Sequence, residues 1–149
     1  MSDVDRNVLR QIGRTSRAVH AAFEQEVGHG LPRWRILQAL YDRRDAAEGW
    51  TQKQLVREFN IDAGALTRQL KQMESEALIS RHSDPDDNRL TRVSLLQAGA
   101  DQVIAAQSRR EAFFGKVVAG LSAAEVQAAM KVLREIELRC QSMYQGEAD

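Results

Sequence analysis

Cysteine appears once, at Cys140, proline twice, and aromatic residues make up only 5% of the 149-residue chain; no charge sign prevails, with 21 Lys and Arg against 21 Asp and Glu. A single thiol excludes an internal disulfide framework and fits a reducing compartment. Balanced charge gives no general attraction to nucleic acid, so any such role must come from local patches. No apolar run approaches the roughly 20 residues of a membrane helix, and the opening MSDVDRNVLR is charged where a secretory leader is apolar. A cytoplasmic protein without a membrane partner is expected. His20, His29 and His82 lie far apart with no metal-ligand spacing, and nucleophile motifs and phosphate-cradling loops are absent. No metal site, cofactor or catalytic residue is expected, and the chain does not read as an enzyme.

What is present is helical punctuation. With 43% hydrophobic and 28% charged residues, the chain has the make-up and length of one globular domain, 1–149. Its Gly and Pro residues, at Gly28 to Pro32, Gly49, Gly64, Pro85, Gly99, Gly115, Gly120 and Gly146, fall where helices would break. Val8, Ile12, Thr15, Val19, Phe23 and Val27 share one helical face. A second helix is expected from Pro32, lined by Trp34, Leu37, Leu40 and Tyr41. Thr51 to Gln54 has the form of a capping box for a short helix burying Leu55, Val56 and Phe59. Asp62 can cap the next, whose inner side is Leu66, Leu70, Met73 and Ala77. Residues 78–82 and 90–95 alternate apolar and polar, as two strands with one wet face do. Between them HSDPDDNRLTRVSL forms a hairpin tip. Helices return after Gly99 and after a second capping box, Ser122 to Glu125.

The expected fold class is therefore mainly α with a small β-hairpin wing. Short helix, turn, helix and hairpin, in that order, make a winged helix-turn-helix, whose second helix can enter the major groove. Ala63, Gly64, Ala65, Thr67, Arg68, Gln69 and Lys71 would face the bases, the small residues allowing close approach and Arg68 and Lys71 reaching guanine edges or phosphates. Periodicity alone fits equally a plain helical hairpin with a solvated face.

Four stretches carry a resemblance: Thr51-Gln52-Lys53-Gln54-Leu55, the run from Ala65 to Arg81, Asp84-Pro85-Asp86-Asp87-Asn88-Arg89, and Val93 to Gly99. Together they resemble the multiple-antibiotic-resistance regulator (MarR) family, over nearly the whole chain. The resemblance implies a homodimeric DNA-binding transcription regulator, most often a repressor released by a small ligand or an oxidant. It implies dimerisation helices at 1–48 and 98–149, flanking a DNA-binding lobe at 49–97. The partners implied are double-stranded DNA with a pseudo-palindromic operator, a second copy of the chain and a small effector, in some members an aromatic carboxylate. The apolar residues of the flanking helices also exceed what a small winged lobe can cover, which favours a two-fold dimer.

Thr51 and Gln52 join the DNA-contacting set, as does Arg89, which would enter the minor groove with Asp87 steadying it. Arg81 and Arg92 are expected on phosphates. For the effector, Arg14 and Trp34 match the family's ligand positions, with Arg10, Arg17, His20 and Arg35 nearby; an arginine can hold a carboxylate and an indole can stack on a ring. Trp34 as core packing is the competing assignment. Cys140 is expected as a buried, inert thiol, with an oxidant-sensing repressor as the alternative. A winged-helix module that binds proteins and not DNA is the other class to be distinguished.

Overall fold

The computed structural model describes residues 3–145. In chain order the elements are α1 (Asp3–Val27), α2 (Leu31–Asp42), β1 (Trp50–Thr51), α3 (Gln52–Phe59), α4 (Ala63–Ser75), β2 (Ile79–Ser83), β3 (Thr91–Leu95), α5 (Gln97–Val118) and α6 (Ala123–Gln145). The three strands form one antiparallel sheet in the order β1-β3-β2. A winged helix-turn-helix with flanking helices is thus the architecture, as the patterning predicts. Residues up to Phe113 group as one compact unit and those from Phe114 onward as another.

Local chemistry sets the element ends. Gly28, with φ +88°, lets the chain leave α1 in the left-handed region while its N–H still bonds the Glu24 carbonyl at 2.9 Å. The Thr51 hydroxyl accepts the Gln54 N–H (3.1 Å) and the Gln54 side chain accepts the Thr51 N–H (2.9 Å), so both halves of the expected capping box form. Asn60 takes φ 46° at the end of α3, a conformation its short amide side chain tolerates. Asp62 then caps α4 by accepting the Ala65 N–H at 2.9 Å. The Ser122 and Glu125 box opens α6 in the same manner.

Several details differ from the sequence expectation. Ala77, expected on the inner side of α4, lies beyond its end at φ 57° and is exposed. The two-residue strand β1 is unforeseen, because two residues cannot display alternation; it exists through pairing of Trp50 with Val93 and Thr51 with Arg92. Gly99 and Gly115 do not break helices but lie inside α5. Gly64 likewise sits in the first turn of α4. Cys140, expected to be buried, is exposed on α6, where Met130, Leu133 and Leu138 are exposed as well.

The core lies in the first unit. Phe23, Val27, Ile36, Leu37, Leu55, Leu66, Leu70, Met73 and Ile79 are fully buried and bring α1, α2, α3, α4 and β2 together. Phe113 of α5 meets Phe23 edge to face at 5.3 Å between centroids. Polar ties supplement this packing. The Arg33 guanidinium, in the first turn of α2, makes a two-pronged ion pair with Glu76 at the end of α4, one prong being 3.0 Å. Arg33, with help from the Gln72 amide, lowers the Glu76 pKa to about 2.

Two outcomes follow from these contacts. A methyl group on Gly99 would stand 2.3 Å from the Leu78 carbonyl oxygen and 2.6 Å from Leu95 Cδ1. Backbone must move to admit it, so Gly99→Ala should cost about 1–3 kcal/mol, read as a drop of several degrees in melting temperature. The Glu76 carboxylate stabilises the fold above its ordinary pKa, and that contribution fades as pH falls from about 4.5 towards about 2. With a third of the Glu76 side chain exposed, it amounts to about 1 kcal/mol at neutral pH. Glu76→Gln should therefore lower the melting temperature at pH 7 and make progressively less difference as the pH approaches 2.

Candidate nucleic-acid interface

Helix α4 buries Leu66, Leu70 and Met73, which at a 3.6-residue period turns Gly64, Arg68 and Lys71 to the opposite side. Ala63, Gly64, Arg68 and Lys71 are exposed, while Ala65, Thr67 and Gln69 are half-buried beside them. The Gly64 position is close-fitting: a Cβ there would lie 3.1 Å from Asp62 Oδ2 and 3.6 Å from Arg68 Nη1. A smooth, small-residue entry followed by two cations is a shape that can slide into a groove and bond base edges or phosphates.

Gln52, at the start of α3, ties the lobe together. Its amide donates to Thr67 Oγ1 at 3.3 Å and its carbonyl oxygen accepts from Arg81 Nη1 at 3.4 Å. The Thr67 hydroxyl in turn donates to the Ala63 carbonyl at 2.9 Å. Thr67 and Gln52 are thereby held at the junction of α3 and α4. Thr51 is placed differently from the others, since its side chain is buried in the α3 cap.

The two arginines expected on phosphates are occupied within the protein. Arg81 embraces Glu74, with Nη2 to Oε1 at 3.0 Å and Nε to Oε2 at 3.3 Å, and its backbone N–H donates to the same carboxylate at 3.1 Å. Those bonds hold the Glu74 carboxyl below its ordinary pKa, so it stays charged and cancels the arginine. Arg92 bonds Asp84 through Nε and the Glu48 carbonyl through Nη1. Arg89 alone of the wing arginines points outward: its side chain is 91% exposed, and its Nε stands 3.8 Å from Asp87 Oδ1. Asp87 also accepts the Arg89 backbone N–H at 3.1 Å.

Asp84 is the residue whose importance sequence reasoning missed. It reads as turn chemistry, yet it is buried and its carboxyl is held below the ordinary range by Arg92 first and by the Asp86 and Asp87 N–H groups next. A usable signal existed: in the observed hairpin His82 faces Arg92 and Ser83 faces Thr91, so Asp84 just beyond comes within reach of Arg92. Glu74 carried no such signal, because its partner lies across the α4 to β2 turn.

The effector set is scattered. Arg14, Arg17 and Arg35 are exposed and His20 is half-buried. Trp34 is only 3% exposed, packs against Phe23 at 6.3 Å between ring centroids, and has the Arg110 guanidinium 5.7 Å from its ring. Arg35 leaves α2 on another side, lining a cleft of about 180 Å³ with Pro32, Ile36, Phe59, Ile61 and Leu66. Arg110 was missed from the sequence, since it belongs to α5 and meets Trp34 only through folding. Among the described residues no cluster of His, Cys, Asp and Glu could hold a metal ion, and no helix is long and apolar enough to cross a membrane.

Comparison with known proteins gives these features a context. The MarR family model matches residues 31–91, the stretch that holds α2, the helix pair, β2 and the wing tip. YdgJ of Bacillus subtilis strain 168, described as an uncharacterized HTH-type transcriptional regulator, is 32% identical over 126 residues, covering 85% of this chain and 74% of that protein. A mutant MarR from E. coli complexed with operator DNA superposes with a TM-score of 0.77 at 20% identity, covering 91% of this chain and 99% of that one. BpsR of Bordetella bronchiseptica, whose DNA binding is regulated by 6-hydroxynicotinic acid, gives a TM-score of 0.74 at 22% identity over 88% and 98% of the two chains. The two structural likenesses concern the fold.

Proposed function

From the premise that this chain belongs to the MarR family of DNA-binding transcription regulators, we propose that it acts as a homodimeric repressor which a small aromatic acid releases from its operator. The observation that carries the DNA-contacting assignment is the exposed row of Gly64, Arg68 and Lys71 on α4 together with the outward Arg89 of the wing. Arg68 and Lys71 form no ion pair among the described residues, so their charge is available to a polyanion. Thr67, Gln69, Ala63 and Ala65 complete the groove-facing surface. Arg89 suits a narrow minor groove, where negative potential is concentrated. Two recognition helices related by a two-fold axis would read half-sites about 10 base pairs apart in a pseudo-palindrome.

A second copy of the chain is supported by apolar exposure. Phe114, Val117 and Val118 at the end of α5, and Met130, Leu133 and Leu138 on α6, face solvent in the single chain. So many exposed large apolar side chains on two helices favour a surface that associates.

For the effector, the support is chemical. Arg14, Arg17 and Arg35 are exposed cations able to hold a carboxylate. Buried Trp34, with Phe23 on one side and Arg110 near its ring, suits a wall better than an open stacking platform. The regulation of BpsR by an aromatic acid agrees with this class of ligand. Release from DNA requires only that the ligand bind the DNA-incompetent arrangement more tightly than the competent one.

Binding to a duplex from the promoter beside its own gene should be strongly salt-dependent. Arg68→Ala or Arg89→Ala should each weaken it by about 5- to 100-fold, the range of a lost groove contact, without lowering the melting temperature. A chain that dimerises but shows no salt-dependent DNA binding in a gel shift would instead be a protein-interaction module. In a thermal-shift series of aromatic carboxylic acids, a true effector at a hundred times its Kd should stabilise the protein by about 2.7 kcal/mol and release the duplex. Arg14→Ala should abolish both effects; a shift unchanged in that variant would remove Arg14 from the site.

A further inference from the structure

The tip of the wing is short and wet, and it must nonetheless present Arg89 in one place. The guanidinium cannot fix itself: among the described residues its only ion pair is the 3.8 Å contact with Asp87, and nearly all of the side chain is in solvent. Loose pairs of this kind contribute little orientation. The backbone on either side of Arg89 is held more firmly. Asp84 Oδ1 accepts the N–H of Asp86 at 2.9 Å and of Asp87 at 3.0 Å, and the Asp84 N–H donates to the Leu90 carbonyl at 2.9 Å. The Leu90 N–H donates to the Asp87 carbonyl at 3.0 Å, closing the turn. Asp84 thus anchors the turn at residues 86, 87 and 90, and the Asp87 side chain adds one bond to the Arg89 N–H.

Asp84 is held in its turn. Its other carboxylate oxygen bonds Arg92 Nε, and Nη1 of the same guanidinium bonds the Glu48 carbonyl in the connection between α2 and β1. Both carboxylate oxygens and two guanidinium nitrogens are used within the protein, and the Arg92 side chain is only 23% exposed. We infer that Asp84 and Arg92 are positioning residues for Arg89, latching the wing tip to the α2 to β1 connection, and that Arg92 does not itself hold a phosphate. The benefit is preorganisation: a turn that already has its bound shape loses less freedom when the arginine enters a groove. Neutralisation of Arg92 by Asp84 also removes one of the three wing aspartates from opposition to the DNA backbone.

This inference rests on the operator-binding function proposed above, and a double-mutant cycle separates the two. Operator affinity is measured by fluorescence anisotropy at several salt concentrations for the wild type, Arg92→Ala, Arg89→Ala and the double variant, with Arg92→Lys and Asp84→Asn alongside. A positioning residue acts through Arg89. Arg92→Ala should weaken binding about tenfold alone but less than about twofold when Arg89 is already alanine. Its salt slope should match the wild type, whereas Arg89→Ala lowers the slope by about one. Asp84→Asn should behave as Arg92→Ala does. If circular dichroism shows that Arg92→Ala has lost its fold, Arg92→Lys is read in the same cycle, with a smaller loss that again disappears without Arg89. A cost that persists in the Arg89→Ala background, a slope reduced by one, or no loss of affinity at all would overturn the inference while leaving operator binding standing. Absence of binding by the wild type would overturn both.

Discussion

Burial of Leu66, Leu70 and Met73 on one side of α4 decides which residues of that helix meet solvent. A helix has about 3.6 residues per turn, so seating three apolar side chains in a core shared with Phe23, Leu37, Leu55 and Ile79 leaves no rotational freedom. Gly64, Arg68 and Lys71 are carried to the far side as a consequence. The short α3, capped by Thr51 and Gln54, braces α4 from behind, and Gln52 links the two through Thr67. The exposed row of α4 proposed to meet DNA is thus a by-product of where the apolar stripe of that helix has to go.

Charge is distributed by the same logic. With 21 residues of each sign, a DNA-binding surface can be basic only if acids are occupied elsewhere. Glu74 takes Arg81, Glu76 takes Arg33 and Asp84 takes Arg92. Each pair is internal to the lobe or joins it to α2, and each carboxylate is held below its ordinary pKa by its arginine. Arg68, Lys71 and Arg89 are left outward, as are Lys53 and Arg57 of α3 and the acids Glu58, Asp62 and Asp86. Intramolecular pairing thus leaves Arg68 and Lys71 of α4 without an acidic partner among the described residues.

The wing shows the coupling between hairpin register and ion pairing most clearly. Pairing of Ser83 with Thr91 and of His82 with Arg92 brings the chain ends of the turn together. A carboxylate placed at 84 can then cap the turn with one oxygen and hold Arg92 with the other. An aspartate-rich loop that looks hostile to DNA becomes a rigid mount for the one arginine that leaves it.

Several features were legible in the sequence because they depend on residues close together along it: the capping boxes at Thr51 and Ser122, the Asp62 cap, the helical stripe of α4 and the alternation of β2 and β3. Their order fits a winged helix-turn-helix, which the family resemblance favours over a plain helical hairpin, and the exposed row at 64, 68 and 71 follows from the stripe by helical geometry alone. Tertiary structure decided the rest. Whether an arginine is free depends on a partner brought from elsewhere: Arg92 reaches across to Glu48, Arg33 to Glu76 and Trp34 to Arg110, separations of 44, 43 and 76 residues. The two-residue strand β1 exists only because β3 is beside it. Gly99 looks like a helix breaker in sequence and is in fact a contact point, with no room for a side chain between Leu78 and Leu95. Local propensity and periodicity are properties of a few consecutive residues, whereas the occupation of a charge or a glycine is a property of whatever the fold sets against it.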